Sequence, residues 1–316
     1  MAPLLSALLA FAICLAAGPL TISYLHRLKV GQSVREDGPR THLDKAGTPT
    51  MGGILIILSV VIAVIIFPPL THNQIIMLFA TVGFATVGFL DDFIKVVAKR
   101  SLGLRAREKL VAQFGLALLI ALYASARVGT AYLVPFSGRI LNLPVWLYVP
   151  VTMFVLVGTV NAVNLTDGLD GLATGTTAVS AAAFGLLALF SGYPDLALFA
   201  GALTGACLGF FWFNAPPAQV FMGDTGSFGL GAALAAMAIL TKTPLFLLII
   251  GGLYVIETLS VIIQVAYFRV TGGGRLFKMA PLHHHFEVKG FAESTVMIRF
   301  WLIALVFAIL GLLAFL

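Results

Sequence analysis

The chain has 316 residues, of which 60% are hydrophobic and 10% are charged, and its mean hydropathy is +1.04. This composition excludes a water-soluble globular protein, in which apolar residues make up about half of the chain and charged residues about a quarter. The net charge of +6 suits anionic lipid and a polyanionic substrate, and we expect no nucleic acid partner.

Ten apolar segments of about 20 residues predict an all-α polytopic membrane protein, folded as one integral membrane domain over residues 1–316. In chain order, the predicted spans are 3–24, 51–69, 74–91, 110–127, 144–162, 172–191, 195–213, 226–241, 244–268 and 293–316. The connection 128–143 contains Pro135, Gly138 and Asn142, and predicts a small hairpin or an interfacial segment.

The distribution of basic residues predicts the orientation. Of the 19 Lys and Arg residues, 15 fall in the connections 25–50, 92–109 and 269–292. Ten spans place these three connections on one side of the membrane, and the positive-inside rule makes that side cytoplasmic. Both termini are therefore predicted to lie outside.

Five aspartates lie beside the apolar runs, and the predicted topology brings all of them to the cytoplasmic face. They are Asp91, Asp92, Asp167, Asp170 and Asp224. Carboxylates gathered at a membrane surface repel one another unless a cation or basic side chains offset them. The cluster therefore predicts a site for divalent metal and phosphate. The alternative for Asp91 and Asp92 is a solvated helix end with an i,i+4 ion pair to Lys95.

The segment NAVNLTDGLDG carries four polar residues at a three-residue spacing, which are Asn161, Asn164, Asp167 and Asp170. If the segment is helical, they form one slowly drifting band on its surface. Gly168 and Gly171 allow the backbone to approach a ligand closely. The alternative is a polar helix cap between the fifth and sixth spans.

The segment FNAPPAQVFMGDTGS, residues 213–227, places Asp224 in a Gly-rich turn that can precede a helix N-terminus, where amide groups bind phosphate. Asn214 and Phe221 are suited to reading and stacking a nucleobase. The alternative for Phe221 is lipid contact or core packing.

The segment PLHHHFE, residues 281–287, carries three consecutive histidines, which cannot easily share one tetrahedral metal ion. It therefore predicts hydrogen bonds to phosphate or to a carboxylate. Glu257 and Gln264 are seven residues apart and share one helix face within a predicted span. These two side chains indicate either a functional site or hydrogen bonding between helices.

Taken together and in order, five motifs resemble the MraY family of phospho-N-acetylmuramoyl-pentapeptide transferases. The motifs are KAGTPTMGG (45–53), FLDDFIK (89–95), NLTDGLDG (164–171), FNAPPAQVFMGDTGS (213–227) and PLHHHFE (281–287). The wider superfamily of polyprenyl-phosphate N-acetylhexosamine-1-phosphate transferases shares the DD and NxxDGxDG elements.

The resemblance implies a bacterial inner (cytoplasmic) membrane enzyme that transfers phospho-MurNAc-pentapeptide from UDP-MurNAc-pentapeptide to undecaprenyl phosphate, giving lipid I and UMP. It also implies a Mg²⁺ cofactor and a homodimer. By motif position, Asp224 is the expected Mg²⁺ ligand, with Asp91, Asp92 and His283 near the reacting phosphates. The implied substrate-binding residues are Lys45, Thr50, Lys109, Asn164, Asp167, Asp170, Asn214, Phe221, Gln264, His284 and His285.

Two other functions fit parts of the sequence. A UDP-GlcNAc:undecaprenyl-phosphate transferase of the same superfamily is distinguished by offering each donor to the protein. An ion-coupled transporter is compatible with ten spans and the intramembrane Glu257. However, transport sites lie near the bilayer midplane, whereas the predicted acidic cluster lies at one face.

Overall fold

The structure is a computed structural model that describes residues 1–27, 47–98 and 103–316. Within these ranges the helices are α1 Ala2–Arg27, α2 Gly53–Ile65, α3 His72–Val97, α4 Ala106–Arg127, α5 Val145–Thr166, α6 Leu172–Phe190, α7 Pro194–Asn214, α8 Gly223–Leu240, α9 Leu247–Ile250, α10 Gly252–Val270, α11 Leu282–Val288 and α12 Glu293–Leu313. The strands β1 Ala131–Leu133 and β2 Ile140–Asn142 form an antiparallel pair. The predicted hairpin within 128–143 is thus confirmed.

In the described part of the chain, 9 helices are long and apolar enough to cross a membrane, which confirms an all-α multi-pass protein. The second predicted span is an exception, because α2 has only 13 residues. At about 1.5 Å per residue, α2 is shorter than the roughly 30 Å hydrocarbon layer. Pro68 and Pro69 prevent the helix from continuing to the predicted end of the span.

The predicted span 244–268 is interrupted. A 3₁₀ turn at Pro244–Phe246 and the four-residue α9 precede Gly251, and α10 starts at the next residue. Gly252 packs against the ring of Phe307 in α12, where a Cβ atom would lie 2.6 Å from Cδ1. This close contact leaves no room for a side chain at the break.

Small residues allow α1 and α7 to pack closely. Gly201, Gly205 and Gly209 follow one another at four-residue spacing on α7, and each faces the backbone of α1. The Ser6 hydroxyl also donates to the Leu198 carbonyl at 2.7 Å. Small residues at helix contacts are typical of membrane proteins, where close backbone packing drives association. The start of α1 therefore lies beside the start of α7.

The two chain termini lie at the same end of the helix bundle. The Phe136 N–H in the hairpin donates to the Ala314 carbonyl after α12. Asp195, at the start of α7, accepts hydrogen bonds from Thr71 and Asn73 at the start of α3. Asp91, Asp92 and Asp224 lie where α3 ends and α8 begins, at the opposite end of the bundle.

Candidate functional site

Three aspartates from two helices form the centre of the site. Asp91 and Asp92 lie near the end of α3, and Asp224 lies in the first turn of α8. One carboxylate oxygen from each of the three lies within 4.8 Å of the other two. Asp91 is fully buried and Asp92 is 2% exposed. The predicted gathering is therefore present for these three carboxylates, although Asp224 is more than 100 positions from the other two in sequence.

Two lysines neutralise most of the negative charge. The Lys95 ammonium lies 2.6 Å from Asp91 Oδ2 and 3.2 Å from Asp224 Oδ2. The Lys109 ammonium, on α4, lies 2.9 Å from the same two oxygens. The i,i+4 pair of Asp91 and Lys95 is confirmed, but it belongs to the cluster and is not a separate solvated helix end. Three carboxylates and two ammonium groups leave one net negative charge.

Asp92 caps the N-terminus of α8 from another helix. Its Oδ2 accepts hydrogen bonds from the Thr225 backbone N–H at 2.9 Å and from the Thr225 hydroxyl at 2.7 Å. Its Oδ1 accepts from the Asp224 N–H at 3.2 Å. A carboxylate at a helix N-terminus satisfies the free amide groups and interacts favourably with the helix dipole. Asp92 therefore fixes the backbone that carries Asp224.

Asn164 joins α5 to the cluster. Its amide nitrogen donates to Asp224 Oδ1 and to the Ser227 hydroxyl, each at 2.9 Å. Asn161 instead donates to Gln113 Oε1 at 2.8 Å. A contribution of Ser227 was not foreseen from the sequence, because a serine inside an apolar helix carries no distinctive signal.

The predicted helical band over 161–170 is wrong in its second half, because α5 ends at Thr166. Asp167 follows the helix end, and Asp170 lies in the turn before α6. Gly171 has a φ of 75°, which favours glycine and directs the chain into α6. Burial, followed by the negative charges of Asp224, Asp92 and Asp170, raises the pKa of the Asp167 carboxyl well above its usual value.

Asp170 and Asn214 hold two loops together. Asp170 Oδ2 accepts from the Ala218 N–H at 3.0 Å. Asn214 Oδ1 accepts from the Gly171 N–H at 3.1 Å, and its amide nitrogen donates to the Val220 carbonyl at 2.9 Å. The two side chains thereby order the segment leading to Phe221. Their predicted contact with a nucleobase stays a prediction.

The segment before α2 pairs with the segment before α8. The Phe221 N–H donates to the Pro49 carbonyl at 2.8 Å, and the Gly52 N–H donates to the Phe221 carbonyl at 2.9 Å. The buried Thr50 hydroxyl lies near Gly223, where a Cβ atom would be 2.9 Å from it. The structure thus places Thr50 beside the acidic cluster. Lys45 lies outside the described residues.

Two of the three histidines face carboxylates, one of the two kinds of partner that the sequence predicted. His283 Nδ1 lies 3.0 Å from Glu257 Oε2, and His284 Nδ1 lies 2.6 Å from Glu287 Oε2. His285 Nδ1 accepts from the Lys278 N–H at 3.0 Å. Burial, with the positive charges of Lys289 and Lys278, lowers the pKa of His285, in keeping with a neutral ring that accepts at Nδ1.

A groove of about 360 Å³ runs along the end of α10 and the loop that follows it. Val261, Val265 and Phe268 give it an apolar floor, and Arg269 and Arg275 add positive charge. Gln264 also lines the groove, and its Oε1 accepts from the Leu276 and Phe277 N–H groups at 3.1 and 2.8 Å. The side chain thereby holds the loop against the helix.

Comparisons with known proteins give one consistent result. A family model described as Glycosyl transferase family 4 matches residues 74–242, and the Phospho-N-acetylmuramoyl-pentapeptide-transferase signature 1 matches residues 45–57. The chain is 51% identical over 324 residues to the Phospho-N-acetylmuramoyl-pentapeptide-transferase of Desulforudis audaxviator (strain MP104C), covering 98% of this chain and 97% of the relative. It is 50% identical over 316 residues to the protein of the same name from Desulforamulus reducens, covering 98% and 94%.

Proposed function

The chain belongs to the family of phospho-N-acetylmuramoyl-pentapeptide transferases, and we propose on that premise that it transfers phospho-MurNAc-pentapeptide from UDP-MurNAc-pentapeptide to undecaprenyl phosphate. The products are lipid I, a precursor of peptidoglycan, and UMP. The observation that carries this proposal is the cluster of Asp91, Asp224, Lys95 and Lys109 at one end of the bundle. Its mixed charges suit a site that brings two anionic phosphate groups together.

Magnesium fits the side chains of this cluster. Mg²⁺ prefers oxygen ligands and uses one or two carboxylates together with waters and substrate phosphates. The close spacing of the carboxylate oxygens and the one net negative charge of the cluster meet this requirement. Asp224 is the proposed ligand, with Asp91 beside it, whereas Asp92 holds the backbone at the start of α8. A bound Mg²⁺ would supply charge neutralisation for the reacting phosphates.

The protein's own residues chiefly position the reactants. A phosphate monoester has a second pKa of about 6, so the lipid phosphate is already a competent nucleophile near neutral pH. We propose that it attacks the donor directly and displaces UMP, while Lys95 and Lys109 offset the charge. Asp91 places the lipid phosphate through its contacts with both lysines. One phosphoanhydride is broken and one is made, so UMP should drive the reaction backwards.

The donor and the acceptor have separate proposed sites. Asn164 and Asp167 contact the sugar phosphate, while Asp170, Asn214 and Phe221 contact the uracil. Lys45, Thr50 and Lys109 are proposed to make polar contacts to the substrate. Support for these roles is the placement of Asn164 and Lys109 on Asp224 and of Thr50 beside Gly223.

The groove along α10 is proposed to receive the lipid acceptor. An apolar floor with arginines near its end suits a long hydrocarbon chain that carries a phosphate. Gln264 lines this groove, and His284 and His285 lie on α11, which follows the loop of the groove; all three are proposed to contact the substrates. The described basic residues of the connections 92–109 and 269–292 support a cytoplasmic position of this end of the bundle in the bacterial inner membrane. The homodimer stays a proposal drawn from the family.

The direct test is transfer of radiolabel from UDP-MurNAc-pentapeptide to undecaprenyl phosphate by the purified protein in detergent with Mg²⁺. We expect labelled lipid and UMP, and no labelled lipid when UDP-GlcNAc is offered. Efficient transfer from UDP-GlcNAc would instead assign the chain to the related N-acetylglucosamine enzymes. A single-turnover experiment without lipid acceptor tests the direct route, because release of one equivalent of UMP with label retained on an aspartate would require a covalent intermediate.

A further inference from the structure

A carboxylate and an imidazole meet in the protein interior outside the acidic cluster. Glu257 lies on α10 and His283 near the start of α11; both side chains are 0% exposed, with Oε2 and Nδ1 3.0 Å apart. An ionisable side chain inside a membrane-spanning helix is costly and is usually retained for function. Neutral groups join helices equally well, as in the 2.9 Å hydrogen bond between the hydroxyls of Tyr254 and Thr177. Packing alone therefore does not account for Glu257.

The pair also leaves hydrogen-bonding capacity unused. Among the described residues, none supplies a partner for Glu257 Oε1 or His283 Nε2, although both atoms are buried. Buried polar atoms normally have a partner in the protein, in water or in a ligand. An unpartnered ring nitrogen on a histidine of the PLHHHFE motif points to a ligand that completes it.

The ring nitrogen of His283 faces the turn that follows α5. His283 Nε2 lies against Gly168. A Cβ atom at position 168 would collide with the imidazole ring, because it would lie only 2.8 Å from His283 Cε1 and closer still to Nε2. Gly168 comes four residues after Asn164, whose amide nitrogen donates to Asp224 Oδ1 at 2.9 Å. His283 Nε2 is thus directed at the side of the site where the turn after α5 approaches the acidic cluster.

We propose that Glu257 is a positioning residue for His283. Its carboxylate accepts the hydrogen bond of Nδ1–H, fixes the tautomer and the rotation of the ring, and leaves Nε2 directed at the substrate phosphates. A carboxylate behind an active imidazole performs this task in many sites. The inference rests on the proposed function, because it requires that phosphates bind beside Gly168. Glu257 itself touches no substrate.

The first experiment separates positioning from a structural role. The purified full-length protein is compared as wild type, Glu257→Gln and Tyr254→Phe, with kcat and KM measured for UDP-MurNAc-pentapeptide. Tyr254→Phe is the matched control, because it removes a buried inter-helix hydrogen bond from the same helix. We expect Glu257→Gln to lower kcat by about 10- to 100-fold while KM changes by less than about threefold, and Tyr254→Phe to keep both constants. A wild-type kcat in Glu257→Gln, or a rise in KM alone, overturns the inference.

A double-mutant cycle tests whether Glu257 acts through His283. In a His283→Gln background, Glu257→Gln should change kcat by less than about twofold, because the residue to be positioned is absent. Equal losses in both backgrounds would mean that Glu257 acts independently, and would overturn the inference. An inactive wild-type protein would instead overturn the proposed function.

A measurement on the wild-type protein avoids the risk that a variant does not fold. In protein labelled with ¹⁵N-histidine, the nitrogen shifts distinguish a protonated from an unprotonated ring atom. We expect Nδ1 of His283 to be protonated and hydrogen-bonded. An unprotonated Nδ1 would show that Glu257 does not accept a hydrogen bond from the ring, and would overturn the inference without reference to activity.

Discussion

Gly88→Ala should impair catalysis although Gly88 lies outside the cluster of charged residues. A Cβ atom at Gly88 on α3 would collide with the carbonyl oxygen and carbon of Asp224, and it would lie 2.7 Å from the Thr225 nitrogen. Ordinary van der Waals contact begins at 3.4 Å, so the Thr225 nitrogen alone requires a shift of about 0.7 Å, and the Asp224 atoms require more. These atoms are backbone and cannot rotate away. The start of α8 must therefore move away from α3.

This movement separates Asp224 from the rest of the site. The hydrogen bonds that Asp92 accepts from Asp224 and Thr225 at the start of α8 have lengths of 2.7 to 3.2 Å, so a shift of this size weakens or breaks them. A misplacement of about 1 Å can cost about 100-fold in rate, and overpacking typically costs about 1–3 kcal/mol of stability. We expect Gly88→Ala to lower kcat by roughly 10- to 100-fold with a protein that still folds in detergent.

The assay is steady-state transfer to undecaprenyl phosphate, with size-exclusion chromatography and thermal melting as checks of folding. Gly83→Ala is the control, because it makes the same substitution on the same helix and meets only the Leu116 side chain, at 3.3 Å. A flexible leucine can adjust, so Gly83→Ala should retain near wild-type kcat. If Gly88→Ala performs as well as Gly83→Ala, the close contact of α3 with α8 does not set the geometry of the site.

Three further outcomes are expected. Asp224→Asn should abolish transfer in a folded protein, because it removes the charge of the proposed Mg²⁺ ligand without changing its shape; near-normal turnover at any Mg²⁺ concentration would exclude that role. Phe221→Ala should weaken donor binding by roughly 1–3 kcal/mol, which is typical of base stacking on an aromatic ring. An unchanged donor affinity, measured by calorimetry, would show that Phe221 serves lipid contact or core packing instead. A single cysteine at the exposed Ser137, on a background without native cysteines, should react with an impermeant thiol reagent in intact cells, whereas one at the exposed Arg275 should not. The reverse labelling would invert the proposed topology.

Much of the fold can be predicted from the sequence because the bilayer imposes one simple requirement. A helix that crosses it needs about 20 apolar residues, so the long apolar runs identify the spanning helices directly. The two errors have local causes that hydropathy does not weigh. Helix α2 ends before Pro68 and Pro69. The ninth predicted span is interrupted at Gly251, and the adjacent Gly252 packs against Phe307.

The sequence by itself also determined which residue types could carry the chemistry, since carboxylates beside apolar helices are too costly to be incidental. Only the tertiary structure decided how they are used. Asp92 accepts a hydrogen bond from the backbone N–H of Asp224, 132 positions later, and Lys109 contacts Asp224 across 115 positions. His283 contacts Glu257 only because α11 packs against α10. Periodicity reports the face of a helix that is apolar, but the partner of a buried charge is set by the packing of helices distant in sequence.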